Sequence, residues 1–135
     1  MNKIFLDTGW FKAELDERDG HHLRAKNIFR RIKKERLVMV TTNFVLDESF
    51  TLIKDKCGVF RAKRLFGFLT KFPEKFGIER VTLEDERRVW DWFWHDWREL
   101  SYTDCTSFAV MERLGIEKVA TFDEHFETAG FEVVK

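Results

Sequence analysis

Short apolar runs alternate with longer amphipathic segments along the whole chain. The short runs predict β-strands at residues 3–6, 37–41, 78–81, 118–122 and 131–134. The segments between them carry apolar residues at helical spacing and predict helices at residues 21–34, 42–56, 59–72, 83–97 and 104–115. Strands that alternate with helices favour a parallel sheet covered by helices on both faces. In such folds, ligands bind beyond the carboxyl ends of the strands.

The composition favours one folded domain spanning residues 1–135. Hydrophobic residues make up 44% of the chain and aromatic residues 16%, which is enough to build a core. No apolar run approaches the ~20 residues needed to span a bilayer, and Asp7 interrupts the region where a secretory signal has its apolar segment. We therefore expect a cytoplasmic protein without membrane attachment. Cys57 and Cys105 form no disulfide framework and have no metal-type spacing, so we expect two buried apolar residues.

The net charge is zero, but the charge is unevenly distributed along the chain. Residues 1–75 contain 17 Lys and Arg against 10 Asp and Glu and carry +7, whereas residues 76–135 contain 7 against 14 and carry −7. Much of the positive charge lies in residues 24–36, which predict a basic helix. Such a face is commonly just solvated, but it can also contact phosphates. The candidates for contact with a nucleic-acid backbone are Arg30, Arg31 and Lys34.

Three carboxylates lie at positions where open α/β sheets bind ligands. Asp7 directly follows the predicted strand 3–6, and Asp123 directly follows the predicted strand 118–122. Asp104 opens a predicted helix. A carboxylate at a helix start also has an ordinary explanation, because it accepts hydrogen bonds from free N–H groups and meets the positive end of the helix dipole. Position alone does not decide between these two roles for Asp104.

Glu48 is the fourth acidic candidate. It lies about two turns into the predicted helix 42–56 and, at 100° per residue, shares its face with Val45 and Leu52. A carboxylate on an inward face is costly unless it meets a partner or a metal ion. Four converging carboxylates repel one another unless a cation neutralises them, and oxygen ligands favour Mg²⁺ or Mn²⁺. Such ions activate water and stabilise the leaving oxygen in phosphodiester cleavage.

Four sequence segments together resemble the PIN domain family, of the kind found in VapC-like ribonuclease toxins of type II toxin–antitoxin pairs. They are FLDTG from residue 5, TTNFVLDESFTL from residue 41, LSYTDCTSFAVMERLGI from residue 100 and VATFDEHFETAGF from residue 119. Their order along the chain matches the family. The resemblance implies a three-layer α/β/α sandwich with a five-stranded parallel sheet in the order 3-2-1-4-5.

The resemblance also implies metal-dependent endoribonuclease activity on single-stranded or looped RNA, with Mg²⁺ or Mn²⁺ as the cofactor. The family's acidic quartet corresponds to Asp7, Glu48, Asp104 and Asp123. A toxin of this kind has a cognate antitoxin as its partner, and we expect a homodimer. Thr8 and Thr103 are candidates to hydrogen-bond a carboxylate or a metal-bound water. Asn43 and His125 lie close to the acids in sequence but stay outside this core assignment.

Aromatic residues recur at helical spacing in the segment VWDWFWHDW, residues 89–97. The residues of this stripe are Trp90, Phe93, Trp94 and Trp97. The plain interpretation is a packing stripe. A tryptophan stripe can also face a partner protein or stack on unpaired bases.

Three other functions fit parts of the pattern. A PIN nuclease of RNA maturation or quality control would carry the same four acids, but a single domain of 135 residues without an appended targeting module favours the toxin. A non-catalytic RNA-binding PIN module is disfavoured because all four acids are present. A phospho-accepting receiver domain requires paired acids near the first turn and a late Lys, and the segments FLDTG and TFDEHF supply neither.

Overall fold

A computed structural model of the protein describes residues 2–71 and 74–135. The strands are β1 (Lys3–Leu6), β2 (Val38–Thr42), β3 (Phe76–Glu79), β4 (Lys118–Ala120) and β5 (Glu132–Val133). All four pairings are parallel, and the sheet has the order β3-β2-β1-β4-β5, which confirms the expected strand order. The central strand β1 therefore lies between β2 and β4.

Helices connect these strands and cover both faces of the sheet. They are α1 (Thr8–Leu15), α2 (His22–Lys34), α3 (Asn43–Cys57), α4 (Val59–Lys71), α5 (Leu83–Arg88), α6 (Trp90–Phe93), α7 (Tyr102–Leu114) and α8 (His125–Thr128). Parallel crossovers are right-handed, so connections that run in opposite directions along a sheet lie on opposite faces. The chain moves one way from β1 to β3 and the other way from β3 to β5. Helices α1–α4 therefore cover one face and α5–α8 the other.

The central strand and the first helix form the middle of the core. Ile4, Phe5 and Leu6 of β1 are fully buried, and so are Trp10 and Phe11 of α1. Helix α1 packs against α2, α3 and α4 at once, so its apolar side chains point in several directions. Its sequence lacks a single apolar stripe, and helical periodicity did not predict it. Helix α1 and the short α8 are the elements missing from the sequence-based prediction.

The helix predicted at residues 83–97 is two short helices, α5 and α6, and is wrong at Val89 and after Phe93. The structure interrupts it at Val89, and residues 94–101 form a loop. Val89 is fully buried, and Trp92 packs against Phe108 of α7 with 5.6 Å between ring centroids. This tertiary packing outweighs the helical periodicity of the segment.

The strand predicted at residues 78–81 lies two residues earlier, as β3. Phe76 is buried and pairs with Met39 of β2, which fixes the register. Asn43 accepts a hydrogen bond at its Oδ1 from the backbone N–H of Val81, at 2.8 Å, where the chain has left the sheet. The Asn43 side chain therefore ties the exit from β3 to the start of α3.

The other predicted elements agree with the structure to within a few residues at their ends, where assignments are least certain. The predicted helix 59–72 corresponds to α4, and its last residue, Phe72, lies outside the described residues. In the described ranges, no helix is long and apolar enough to cross a membrane.

The tryptophan-rich segment is only partly a packing stripe. Phe93 and Trp97 are partly buried against the core. Trp90 and Trp94 instead remain 45% and 74% exposed, and they stack on each other with 5.1 Å between ring centroids. The packing interpretation is therefore wrong for this exposed pair, which is accessible to a partner or to unpaired bases.

Candidate active site

A cavity of about 610 Å³ opens beyond the carboxyl ends of β1 and β4. The lining residues are Asp7, Thr8, Gly9, Glu48, Arg98, Glu99, Ser101, Asp104, Phe122, Asp123, Glu124 and His125. Strands β1 and β4 are neighbours in the sheet but are connected on opposite faces, which leaves a crevice between their ends. The structure thus brings the four predicted acids to one cavity, while their role as metal ligands stays a prediction.

Asp7 lies at the bottom of this cavity, directly after β1. Its side chain is 6% exposed, and its Oδ2 accepts a hydrogen bond from the Thr121 hydroxyl at 2.8 Å. Burial, followed by the negative charge of Asp104, raises the pKa of the Asp7 carboxyl from 3.8 to about 7, although the hydrogen bond from Thr121 lowers it. The charge of Glu48 also raises this pKa. Asp7 is therefore a buried carboxylate whose charged form requires a nearby cation.

Asp104 is the third residue of α7, and Ser101 is the residue that caps the helix. The Asp104 N–H donates to the Ser101 hydroxyl at 2.9 Å, and the Ser101 N–H donates to Asp104 Oδ2 at 3.1 Å. Helix α7 thus begins two residues before the predicted start at Asp104, but Asp104 still stabilises the helix start through this reciprocal pair of hydrogen bonds. Burial, and after it the charge of Asp123, raises the pKa of Asp104, although hydrogen bonds from Ser101 lower it. Thr103 does not line the cavity.

Glu48 reaches the cavity from α3, but not as the sequence predicted. Its side chain is exposed at the mouth, so the inward-face interpretation is wrong. The Thr8 hydroxyl donates to Glu48 Oε1 at 2.6 Å, and the buried Ser49 hydroxyl donates to Thr8 Oγ1 at 3.1 Å. These two hydroxyl groups hold the Glu48 carboxylate toward the cavity.

Asp123 and His125 occupy the turn that follows β4. The strand ends at Ala120, two residues earlier than predicted, so Asp123 stands on a turn instead of directly after the strand. The Asp123 N–H donates to Thr121 Oγ1 at 3.0 Å, and the His125 N–H donates to Asp123 Oδ1 at 2.9 Å. These bonds shape the turn and place His125 in the cavity wall. The sequence signal for this turn was the position of His125 two residues after Asp123, because an Asp side chain commonly accepts a hydrogen bond from the backbone N–H two residues later.

The His125 ring lies between two of the acids. Its Nδ1 is 2.8 Å from Asp123 Oδ1 and 3.4 Å from Asp104 Oδ2. Burial lowers the pKa of His125, but its contact with the Arg98 carbonyl and the charges of Asp123 and Asp104 give a net rise. Sequence reasoning left His125 outside the core assignment, and the structure places it inside the acidic cluster.

The donor atoms around the cavity fit a divalent cation. Carboxylate oxygens predominate in the lining, and one atom from each of Asp104, Asp123 and His125 lies within 4.8 Å of the others. Although Asp123 Oδ1 is 2.8 Å away, the buried His125 Nδ1 makes no hydrogen bond with the described residues, so it is available to a cation. Oxygen ligands with one imidazole suit Mn²⁺, and the oxygens alone suit Mg²⁺.

The basic residues proposed from the sequence lie away from this cavity. A helix that returns to the start of a parallel strand runs antiparallel to the sheet, so the C-terminal end of α2 lies at the opposite edge. There, Arg31 pairs with Glu35 and its Nη1 donates to the carbonyl of Lys135 at 3.4 Å. Arg30 and Lys34 are exposed on the same part of α2. Their role in RNA binding stays a prediction, but none of the three lines the cavity.

The N-terminal end of α2 lies beside the cavity, through contacts with the cavity-lining Phe122. The ring of His21 stacks on Phe122 with 4.5 Å between centroids and 12° between planes. The Arg24 guanidinium carbon lies 5.0 Å from the centroid of the same Phe122 ring. Because Phe122 lines the cavity beside Asp123, these side chains form a cationic and aromatic rim next to the acids.

We expect the cation-free protein to lose stability between pH 5 and pH 8. The folded-state pKa of Asp7 is about 7 against an ordinary value of 3.8, so stabilisation by its protonation is complete below about 3.8 and is lost as the pH rises through 7. The raised pKa values of Asp104 and His125 act in the same direction. In EDTA, Tm should fall by roughly 5 °C over this interval. The Asp7→Asn variant should show a smaller fall, and a wild-type Tm independent of pH would contradict this account.

Three comparisons with known proteins agree with the geometry. The PIN domain family model matches residues 4–132. The 23S rRNA-specific endonuclease VapC20 of Mycobacterium tuberculosis is 35% identical over 133 residues, which are 98% of this chain and 98% of the relative. The crystal structure of VapC20, a Sarcin-Ricin loop cleaving toxin, has a TM-score of 0.81 and covers 96% of each chain. The crystal structure of FitAcB from Neisseria gonorrhoeae covers 98% of this chain and 96% of its own, with a TM-score of 0.66 at 15% identity, which supports the fold alone.

Proposed function

The chain belongs to the PIN domain family, and from this we propose that it is a divalent-cation-dependent endoribonuclease, the toxin of a type II toxin–antitoxin pair. One observation carries the proposal: the fold brings carboxylates from four separate segments into one cavity. These carboxylates belong to Asp7, Glu48, Asp104 and Asp123. Metal-dependent nuclease activity is general in this family. The 35% identity with an rRNA endonuclease supports RNA as the substrate.

Each acid has a distinct place in the proposed site. Asp7 and Asp104, which are buried, would hold Mg²⁺ or Mn²⁺ directly, while Glu48 and Asp123 complete the site directly or through water. When bound, a divalent cation makes water more acidic and stabilises the oxygen that leaves the phosphate. Two hydroxyl groups and one backbone N–H orient the carboxylates by hydrogen bonds: the Thr121 hydroxyl donates to Asp7, the Thr8 hydroxyl to Glu48, and the Ser101 N–H to Asp104.

No protein nucleophile is required by this site. Cys105 follows Asp104 in sequence, but it is fully buried. Burial, and after it the charge of Asp104, raises the pKa of the Cys105 thiol to about 12, so the thiol stays protonated at neutral pH. The Ser101 hydroxyl already accepts the capping hydrogen bond. Direct attack by water on the phosphate is therefore the reaction that the residues favour.

Two cationic groups are placed to hold the RNA backbone beside the acids. Arg98 lines the cavity, and in the part of the chain that the structure describes its guanidinium makes no hydrogen bond or ion pair. Arg24 lies over the ring of Phe122, which also lines the cavity. Arg98 is free to contact a phosphate, and Arg24, whose Nη1 is 3.4 Å from His21 Nδ1, adds positive charge beside the acids.

Charge removal at the rim should weaken RNA binding more than charge removal elsewhere on α2. In an Asp104→Asn background, Arg24→Ala and Arg98→Ala should each weaken binding about 3–10-fold and lower the slope of log affinity against log salt by about 1. Arg30→Ala is the matched control, because Arg30 lies on the same helix as Arg24 but contacts Asn27 instead of the cavity-lining Phe122. Fluorescence anisotropy with a labelled RNA at several salt concentrations measures both quantities. Equal losses of RNA affinity for Arg24→Ala and Arg30→Ala would contradict the proposal that the RNA backbone lies beside Phe122 and the acids.

The substrate we propose is a looped region of ribosomal RNA. VapC20 is a Sarcin-Ricin loop cleaving toxin, and the identity of 35% extends over 98% of this chain. Primer extension on rRNA and on a messenger RNA pool, after incubation with the purified protein and Mn²⁺, tests this directly. A cut confined to one loop of the large rRNA supports it. Cuts spread over the messenger RNAs would overturn the substrate but leave the nuclease activity intact.

Partner binding follows from the same proposal. A toxin requires a cognate antitoxin, and we propose a homodimer that acts in the cytoplasm. Exposed apolar side chains suited to protein contacts occur on two surfaces, one around Trp90 and Trp94 and the other on α4 at Phe60 and Phe66. Light scattering on the purified chain should give the mass of two chains, and the mass of one chain would contradict the homodimer.

A further inference from the structure

The His125 ring is held rigidly in the wall of the cavity. It is 6% exposed, and its Nε2 contacts the carbonyl oxygen of Arg98. The ring stacks on Trp97 with 6.5 Å between centroids and 16° between planes, and Trp97 stacks on His95 at 4.9 Å and 6°. These contacts fix both the position of the ring and the direction of its second nitrogen.

That second nitrogen, Nδ1, points into the acidic cluster. It lies 2.8 Å from Asp123 Oδ1 and 3.4 Å from Asp104 Oδ2, yet within the described ranges it has no hydrogen-bond partner. Because Nε2 donates its hydrogen to the Arg98 carbonyl, Nδ1 faces the acids either as the N–H of a charged ring or, on the neutral ring, as a lone pair that can bind a cation. A lone pair that faces two carboxylates is unfavourable unless positive charge lies between them.

We propose that His125 Nδ1 is a direct ligand of the divalent cation, together with one oxygen each from Asp104 and Asp123, and that this nitrogen makes the site prefer Mn²⁺ to Mg²⁺. The inference rests on the proposed function, because it assumes a cation in this cavity. The three donor atoms lie within 4.8 Å of one another, which suits a shared ion. Histidines that bind metal ions commonly donate their other N–H to a backbone carbonyl, as His125 does to Arg98.

The preference for Mn²⁺ follows from ligand chemistry. Mg²⁺ is bound almost entirely by oxygen and keeps several waters, whereas imidazole is a good ligand for transition metals. A site with only carboxylates discriminates weakly between the two ions. A site in which one ligand is a buried imidazole gains affinity for Mn²⁺ without a matching gain for Mg²⁺.

Pulsed EPR of the Mn²⁺-loaded protein tests the proposal without any activity assay. We expect ¹⁴N modulation from one imidazole in the wild type, and a changed modulation when the protein is made with ¹⁵N-histidine. His125→Phe should abolish the signal and weaken Mn²⁺ binding about tenfold or more, while Mg²⁺ binding changes less. Phenylalanine retains a ring that can stack on Trp97. His95→Phe is the matched control, since it removes the imidazole on the other side of Trp97 and should leave the signal unchanged.

The outcomes separate this inference from the proposed function. Mn²⁺ binding that is lost in Asp104→Asn but shows no ¹⁴N coupling in the wild type would overturn the histidine ligand and leave the nuclease proposal standing. Absence of any Mn²⁺ or Mg²⁺ binding would overturn both. Isotope labelling of the wild-type chain shows that the ligand is a histidine even if His125→Phe does not fold. An unchanged signal in His21→Phe, His22→Phe and His95→Phe then assigns it to His125, and loss of the signal in any of these three would overturn the assignment.

Discussion

Replacement of Asp104 by Asn should lower RNA cleavage by about 100-fold or more while the protein stays folded. Asn keeps the size of the side chain, and its oxygen can still accept the hydrogen bond from the Ser101 N–H. What it removes is the negative charge that a cation in the cavity requires. The measurement is the initial rate of cleavage of a labelled RNA at saturating Mn²⁺, with thermal melts of the same samples.

The melts distinguish catalysis from helix stabilisation. Asp104 lies among other carboxylates, so loss of its charge relieves repulsion, and the Tm of the cation-free variant should equal or exceed that of the wild type. Asp47→Asn is the matched control, because Asp47 is an exposed acid next to Glu48 that does not line the cavity. Full cleavage by Asp104→Asn would return Asp104 to a helix-start role alone.

Replacement of Arg113 by Met should produce a large loss of stability. Arg113 lies on α7 and donates to both oxygens of Asp85 at 2.9 Å, and Asp85 is 2% exposed at the start of α5. Without Arg113, the Asp85 carboxylate keeps the hydrogen bond from the Thr82 N–H but is buried without a charge partner. We expect a loss of about 2–4 kcal/mol in the free energy of unfolding, measured by urea denaturation.

Two further variants show whether the buried charge is the cause. Arg87→Met removes a guanidinium from an exposed pair with Glu84 on the same face of α5 and should cost about 0.5 kcal/mol or less. Addition of Asp85→Asn to Arg113→Met should recover part of the loss, because the unpaired charge is removed. Equal losses for Arg113→Met and Arg87→Met would contradict the account.

Strand positions were the most predictable part of the site. Asp7 could be placed at the cavity because β1 is a short strand, apolar after Lys3, that ends at Leu6, and the ends of neighbouring parallel strands meet at one edge. The strand order itself came from the family resemblance, which the family match and the structure confirm. The local sequence around Asp104 predicted a helix start but not its first residue, because Ser101 and Asp104 can both cap a helix.

Other features depended on contacts that no local pattern contains. The face of Glu48 was misjudged because the exposure of a residue in α3 depends on where α1 and α7 pack, and the Thr8 hydroxyl 40 residues away sets its direction. The position of His125 depends on a contact with Arg98, 27 residues earlier in a loop that helical periodicity did not predict. The distance of Arg30 from the cavity was predictable in principle, because a helix between parallel strands must run antiparallel to them.

Cation dependence of RNA cleavage is the most direct test of the central claim, which is that the four carboxylates cleave RNA through a bound divalent cation. A mixed RNA pool should be incubated with the purified wild-type protein in Mn²⁺, in Mg²⁺, in EDTA, and in EDTA followed by excess Mn²⁺. The account predicts cleavage with either ion, none in EDTA, full recovery after Mn²⁺ is restored, and no comparable activity in Asp104→Asn under any condition. Cleavage by the purified wild type that persists in EDTA would contradict it.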